Sequence, residues 1–289
     1  MRSIGLFAQL ACIWEATARK LGNVHRFQDF SDLTYLDLVL SAAAIAPVLE
    51  RARGQRVGQT VLDGVCATRQ VASTNTNLGI LLLLSPLAAV PDSADLRKGI
   101  SRVLAQLDVE DARRVYEAIR LAAPGGLGRV TEQDVEQEPT MTLWEVMALA
   151  EQRDLVARQY ANGFRDVFQA VDLGFRDGMK ITRSIEGTII HCHLVLLAAH
   201  PDTLIARKRG MAEAERATLW AQQILLEQWP DELQAWKTFA AFDAWLRAEG
   251  HSRNPGTTAD LVAACLFVAL REGRITLPPQ YPWTIDFPS

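Results

Sequence analysis

The chain has 289 residues, 49% hydrophobic and 22% charged, with a formal net charge of −4. That is enough apolar material for one substantial core or two small ones. The acidic balance argues against general binding of nucleic acid or of an anionic membrane surface, both of which need a basic surplus. A small anionic substrate needs only a local basic cluster and remains compatible with this charge.

Cys12, Cys66, Cys192 and Cys265 are far apart in sequence and each sits in an apolar stretch. This reads as buried free thiols in a reducing compartment rather than a disulfide framework or a zinc site. Met1 to Leu10 has one basic residue and no sustained apolar run, unlike a signal peptide. The longest apolar segment, Leu78 to Val90, is too short to span a bilayer and contains Pro86. The expected location is the cytoplasm.

Three-and-four spacing of apolar residues dominates, and it predicts an all-α protein. In chain order, helices are expected over Ser3–Ala18, Leu33–Arg53, Gly58–Ala72, a buried helix from Leu78, Ala94–Leu107 and Val109–Ala122. Ala123 to Thr140 is the longest break, with Gly125, Gly126 and Gly128 followed by acidic Glu132, Asp134, Glu136 and Glu138. Thr142 and Glu145 have capping-box spacing and open a helix to about Tyr160. Further helices are expected over Asn162–Leu173, Ile181–Ala199, Asp202–Glu227, Asp231–Glu249 and Thr257–Glu272. A proline-rich tail, 275–289, closes the chain in extended form. One bundle of roughly ten to twelve helices over 1–289 is the simplest reading. The candidate strand Gly187 to Leu196 lies in a stretch of helical length.

Three polar breaks between apolar helices are candidate ligand sites. Glu15 to Asp37 combines the carboxylates Glu15, Asp29, Asp32 and Asp37 with Arg19, Lys20 and Arg26 around Gly22 and Asn23. Carboxylates can hold Mg²⁺ and cations can hold phosphate, although a solvated loop reads the same way. Ser73 to Gly79 precedes a helix whose free N–H groups suit phosphate, or is a plain cap. Asn254 to Asp260 is a proline-glycine turn into a helix, with a capped start as the simpler explanation. His191 and His193, two apart on a helix, point in nearly opposite directions and cannot chelate one ion. The string Gly125–Gly128 follows no strand, so a dinucleotide fingerprint does not fit. Trp220, Trp229, Trp236 and Trp245 fall at packing positions.

In these same places the chain resembles the triphosphoribosyl-dephospho-CoA synthase family, from about Glu15 to Arg271. The family's early Glu and Lys-Pro-Gly turn correspond to Glu15, Lys20 and Gly22, with Leu21 in place of proline. Its Asn-Thr-glycine motif corresponds to Asn75-Thr76-Asn77-Leu78-Gly79. Its late Asp-Thr with basic residues and glycine corresponds to Asp202-Thr203, Arg207, Arg209 and Gly210. Its closing Pro-Gly-x-x-Ala-Asp-Leu corresponds to Pro255, Gly256, Ala259, Asp260 and Leu261. Asn77-Leu78 stands where better-known members carry His-Lys. This is more similar to a divergent branch found in archaea and in bacteria that use tetrahydromethanopterin.

The resemblance implies an enzyme that moves the ribose triphosphate of ATP onto the 2′-hydroxyl of dephospho-CoA and releases adenine, with Mg²⁺ accompanying ATP. On that reading Glu15 and Asp260 are the catalytic carboxylates, and Glu15, Asp29, Asp202 and Asp260 are the metal candidates. Lys20, Arg26, Asn75, Thr76, Asn77, Gly79, Arg207 and Arg209 are the substrate and phosphate contacts. The partners are small molecules, with no nucleic acid and no membrane, and a homo-oligomer remains open. The alternatives are a related nucleotide-dependent enzyme of one-carbon cofactor (tetrahydromethanopterin or methylofuran) biosynthesis, and a non-catalytic nucleotide-binding protein.

Overall fold

A computed structural model describes residues 3–92, 94–124 and 133–287. The glycine string Gly125–Gly128 and Glu132 lie outside the described residues. The protein is all-α, with 66% of residues helical and no strand among the described residues. The helices are α1 Ile4–Thr17, α2 Tyr35–Glu50, α3 Val57–Arg69, α4 Leu78–Ala89, α5 Leu96–Leu104, α6 Val109–Ala122, α7 Leu143–Ala150 and α8 Leu155–Asn162. Then come α9 Arg165–Ala170, a π-helical turn Val171–Phe175 and α10 Arg176–Thr182, which run on without a break. The last five are α11 Ile185–Ala199, α12 Thr203–Arg209, α13 Met211–Leu226, α14 Leu233–Arg247 and α15 Gly256–Arg271.

Counting the continuous run 165–182 once gives fourteen helices among the described residues, above the expected range. Two expected helices are each split. The first, from Thr142, stops at Ala150, and Asp154 starts a new helix by accepting from the backbone N–H groups of Val156 and Ala157. The second, from Asp202, breaks at Gly210, whose φ of 90° no helix accommodates. The candidate strand Gly187 to Leu196 is helical within α11, in keeping with the helical length of its stretch.

The chain forms two compact units, residues 1–13 with 36–168 and residues 14–35 with 169–289. In the first, α4 is buried on nearly every side, as its unbroken apolar sequence requires. Pro86 inside it has no N–H, so the carbonyl four residues back loses its helical partner. That carbonyl belongs to Leu82, and the buried Tyr160 hydroxyl donates to it at 2.6 Å. Helices α3 and α6 pack closely because Gly58 has no side chain: a Cβ there would sit 2.4 Å from the Asp111 carbonyl oxygen.

In the second unit, α11 and α15 are buried almost throughout. Trp229, Trp236, Phe239 and Phe242 from α14 and its approach pack with α11 and α13 into one core. The tryptophans expected to pack do so, Trp220 stacking on Phe242 at 5.6 Å. Among the cysteines, Cys12, Cys192 and Cys265 are buried free thiols, whereas Cys66 is exposed. It lies near the end of α3 on the side away from buried Val61 and Thr68, so the expectation of burial fails there. Among the described residues no single helix is long and apolar enough to cross a membrane. Only α11 and α12 taken together, bent by 58°, reach the length and composition of a span.

Candidate active site

The segment between α1 and α2 folds as an ordered loop in the second unit. Gly22 is required twice over: its φ is +67°, and a Cβ would meet Leu246 at 2.8 Å and Pro255 at 3.0 Å. Its N–H donates to Asp243 at 2.8 Å. Asn23 donates to the Asn254 side chain at 2.6 Å, and Arg247 donates to the Asn23 carbonyl at 2.8 Å. The first and third polar breaks therefore meet, the turn at Gly22-Asn23 lying on the Asn254-Pro255 turn that opens α15.

Lys20 is completely buried, with its ammonium 2.8 Å from Glu15 Oε1 and also donating to the Glu15 backbone carbonyl. It is thus the partner of Glu15, not an open phosphate contact. Glu15 itself is only 6% exposed. Beside this pair, Arg19 makes a two-pronged contact with Glu186, Nε to Oε1 at 2.9 Å and Nη2 to Oε2 at 2.6 Å. Arg26 reaches the same carboxylate at 3.2 Å. Burial pushes the Glu186 carboxyl up, but the hydrogen bond and charge of Arg19, with the charge of Arg26, outweigh it and hold the group below its ordinary range.

Cations dominate the field at His25. His25 is lowered to about 4, first by burial and then by the charges of Arg247 and Lys20, against an opposing pull from Asp243. Arg19 and Arg26 share the one carboxylate of Glu186, Lys20 pairs with Glu15 and Arg247 with Asp243, while the other acids of the loop, Asp29 and Asp32, are exposed. His193 on α11 is fully buried and lowered to about 3 by burial and by the Lys20 charge. Among the described residues neither of its ring nitrogens has a hydrogen-bond partner.

Glu186 sits at the start of α11, where Ser184 caps the helix by accepting from the Gly187 N–H at 3.0 Å. Residues 282–287 lie along this start. The Pro282 and Trp283 carbonyls accept from the Ile185 and Glu186 N–H groups at 2.9 and 2.8 Å. Arg19 donates to the Ile285 carbonyl at 3.0 Å.

Asp202 joins two helix starts. One oxygen accepts from the N–H groups of Leu204 and Ile205, capping α12. The other accepts from the N–H and hydroxyl of Thr258, in the first turn of α15. Its burial is complete. With both oxygens committed to protein donors, the expected role of metal ligand gives way to that of a double cap. Asp29 is exposed and accepts from the Tyr35 N–H at 2.7 Å, at the start of α2. Arg209 pairs with Glu249 at 2.8 Å. Arg207 lies beside it in the last turn of α12, and Asp260 lies half-buried near the start of α15.

The second polar break belongs to the first unit and is used largely for its own structure. Asn75 Oδ1 accepts from the Leu78 N–H at 3.1 Å at the start of α4. Thr76 donates to Ser41 at 2.7 Å, and the buried Asn77 carboxamide lies 3.0–3.1 Å from the Thr68 hydroxyl. Gly79 is inside α4.

No three of His, Cys, Asp and Glu come together as metal ligands among the described residues. The sequence reading missed Glu186. Its signal was available: it is the one acid in the apolar stretch from Ile181 to Ala199.

In this all-helical protein a loop carrying Arg19, Lys20 and Arg26 is docked on the starts of two buried helices, an arrangement suited to an enzyme that handles a small anion. The chain belongs to the ATP:dephospho-CoA triphosphoribosyl transferase (CitG) family, whose profile matches residues 1–277. It is accordingly a triphosphoribosyl-dephospho-CoA synthase-like transferase. A crystal structure of a protein from Archaeoglobus fulgidus, assigned as a triphosphoribosyl-dephospho-CoA synthase, is 28% identical. The similarity covers 81% of this chain and 98% of that one, with a TM-score of 0.62. No curated protein matches the sequence significantly.

Proposed function

We propose that the protein transfers the 5′-triphosphoribosyl group of ATP to the 2′-hydroxyl of dephospho-CoA. The 2′-oxygen forms a bond to C1 of the ATP ribose while the bond from C1 to adenine breaks. The hydroxyl proton passes to a base, and adenine leaves with a proton on its ring nitrogen. Such a transfer passes through an oxocarbenium-like state, which a nearby carboxylate stabilises.

The observation that carries this reading is the buried Glu15–Lys20 pair beside two arginines, Arg19 and Arg26, that share a single carboxylate. Lys20 fixes the Glu15 carboxylate in place, as a group that faces developing positive charge at C1 must be fixed. Arg26, Arg207 and Arg209 supply cations for the triphosphate, and Asp260 is the second carboxylate at the reacting carbon. Asn75, Thr76, Asn77 and Gly79 are assigned to substrate by resemblance alone.

The test is to incubate the protein with Mg-ATP and dephospho-CoA and to follow free adenine and the product mass together. Adenine with a product heavier by one triphosphoribosyl group supports the reading. Adenine released only with some other acceptor would move the protein to one-carbon cofactor synthesis, and nucleotide binding without turnover would make it a binding protein.

A further inference from the structure

The family match ends at residue 277, yet residues 282–287 lie directly on groups inside it. Besides the three carbonyl contacts given above, the Phe287 ring centre lies 3.7 Å from the Arg19 guanidinium carbon. The Trp283 ring lies 5.8 Å from that of Arg26 and packs edge-on against Trp14 at 6.3 Å. The segment is anchored at its far end, with Ile285 8% exposed in the core cluster and Phe287 4.7 Å from Trp236.

These contacts share one property. Arg19 and Arg26 repel one another and have a single carboxylate, Glu186, between them. Beyond Glu186 the segment meets the guanidiniums with a backbone carbonyl and aromatic faces, and both side chains stay part-exposed. Such partners attract a cation without cancelling its charge. A second carboxylate would orient the arginines equally well but would neutralise the pair. The segment's own carboxylate, Asp286, is exposed and makes none of these contacts, so the segment fixes two cations around the single Glu186 carboxylate and leaves that trio one net positive charge. It also occupies the first N–H groups of α11, so the anion's contact is with the guanidiniums and not with that helix start.

We propose that residues 282–287 form a strap that positions Arg19 and Arg26 to receive the polyphosphate of the nucleotide substrate. Phe287 and Trp283 are positioning residues that act through the arginines. The inference rests on the proposed nucleotide chemistry for its choice of ligand, but its test does not require turnover.

The test is calorimetric binding of inorganic triphosphate at low salt to the full chain, to Phe287→Leu, to Phe287→Tyr and to a form ending at Gln280. The expected result is affinity about tenfold weaker in the shortened form and severalfold weaker in Phe287→Leu. Phe287→Tyr, which keeps the aromatic face, restores it. With Mg-ATP the same variants raise KM more than they lower kcat, a split that general loosening of the fold would not give. Triphosphate affinity that is unchanged or stronger without the strap overturns the proposal, as does a full chain that binds no triphosphate. If the shortened form does not fold, the Leu and Tyr variants decide alone. Triphosphate binding without adenine release refutes the proposed transfer and leaves the strap intact.

Discussion

Replacing His193 with leucine isolates a pH dependence that the fold builds in. The imidazole is fully buried on α11, has no partner for either nitrogen among the described residues, and is lowered from 6.5 to about 3. For a base with a depressed folded value, the unfolded state takes up the proton first. Stability is therefore whole above about pH 6.5 and falls as the pH drops from there toward 3. At about pH 5 the unfolded histidine is roughly 1.5 pH units below its own pKa while the folded one is still neutral. At roughly 1.4 kcal/mol per unit, this costs about 2 kcal/mol relative to pH 8. His193→Leu removes that cost and nothing else that titrates, so other groups cancel in the comparison. Urea unfolding of both proteins at pH 8 and pH 5 measures it. The variant should gain about 2 kcal/mol on the natural protein between the two pH values. A difference that is the same at both would show that His193 is hydrated or paired, and the account of its burial would be wrong.

Asp202→Ala orphans three backbone N–H groups at two helix starts and should cost roughly 3–6 kcal/mol in urea unfolding. Asn in its place should cost less, because it keeps an acceptor for one of the two helices. Tyr160→Phe strands the Leu82 carbonyl beneath Pro86 and should cost about 1–3 kcal/mol, seen as a lower thermal midpoint. Glu186→Gln leaves two guanidiniums without their shared charge and should destabilise by about 3 kcal/mol, an effect that shrinks at acid pH where the natural carboxyl is itself protonated. Glu15→Gln should lower adenine release about a hundredfold while ATP binding, read by calorimetry, changes little. Full activity in that variant would remove Glu15 from the chemistry.

The helical class and most helix limits were legible because burial on one face imposes three-and-four spacing, and that spacing survives in single residues such as Thr142 and Glu145. The two splits were less visible. Gly210 sits in a run of good helix formers, and only its φ of 90° shows that the chain turns there. Asp154 looks like surface charge until its oxygen is seen on the Val156 and Ala157 N–H groups. At the site, the family resemblance singled out Glu15, Lys20 and Gly22, but that the first two form a buried ion pair and the third a positive-φ turn is seen only in the structure. Sequence could not separate carboxylates by their partners. Glu15, Asp29 and Asp202 look alike on paper, and only the donors around them make one an ion-pair partner, one the acceptor at the start of α2 and one a double cap.

That separation narrows the chemistry. A carboxylate that accepts four hydrogen bonds in a dry interior, as Asp202 does, has no lone pair directed at a ligand, so replacing it tests stability before it tests rate. Glu15 differs because one buried ammonium supplies both of its observed contacts, to Oε1 and to its own backbone carbonyl. Its second carboxylate oxygen is then the one that can face a substrate. The same logic separates the cations. Lys20 is spent on Glu15, while Arg19 and Arg26 share a single carboxylate and are otherwise met by neutral groups. The Arg19–Arg26–Glu186 group therefore keeps one positive charge, on guanidiniums whose planar donors match phosphate oxygens in pairs. Lysine at position 19 would keep the charge and lose the two-pronged contact with Glu186, so it would weaken both the loop and its hold on an anion.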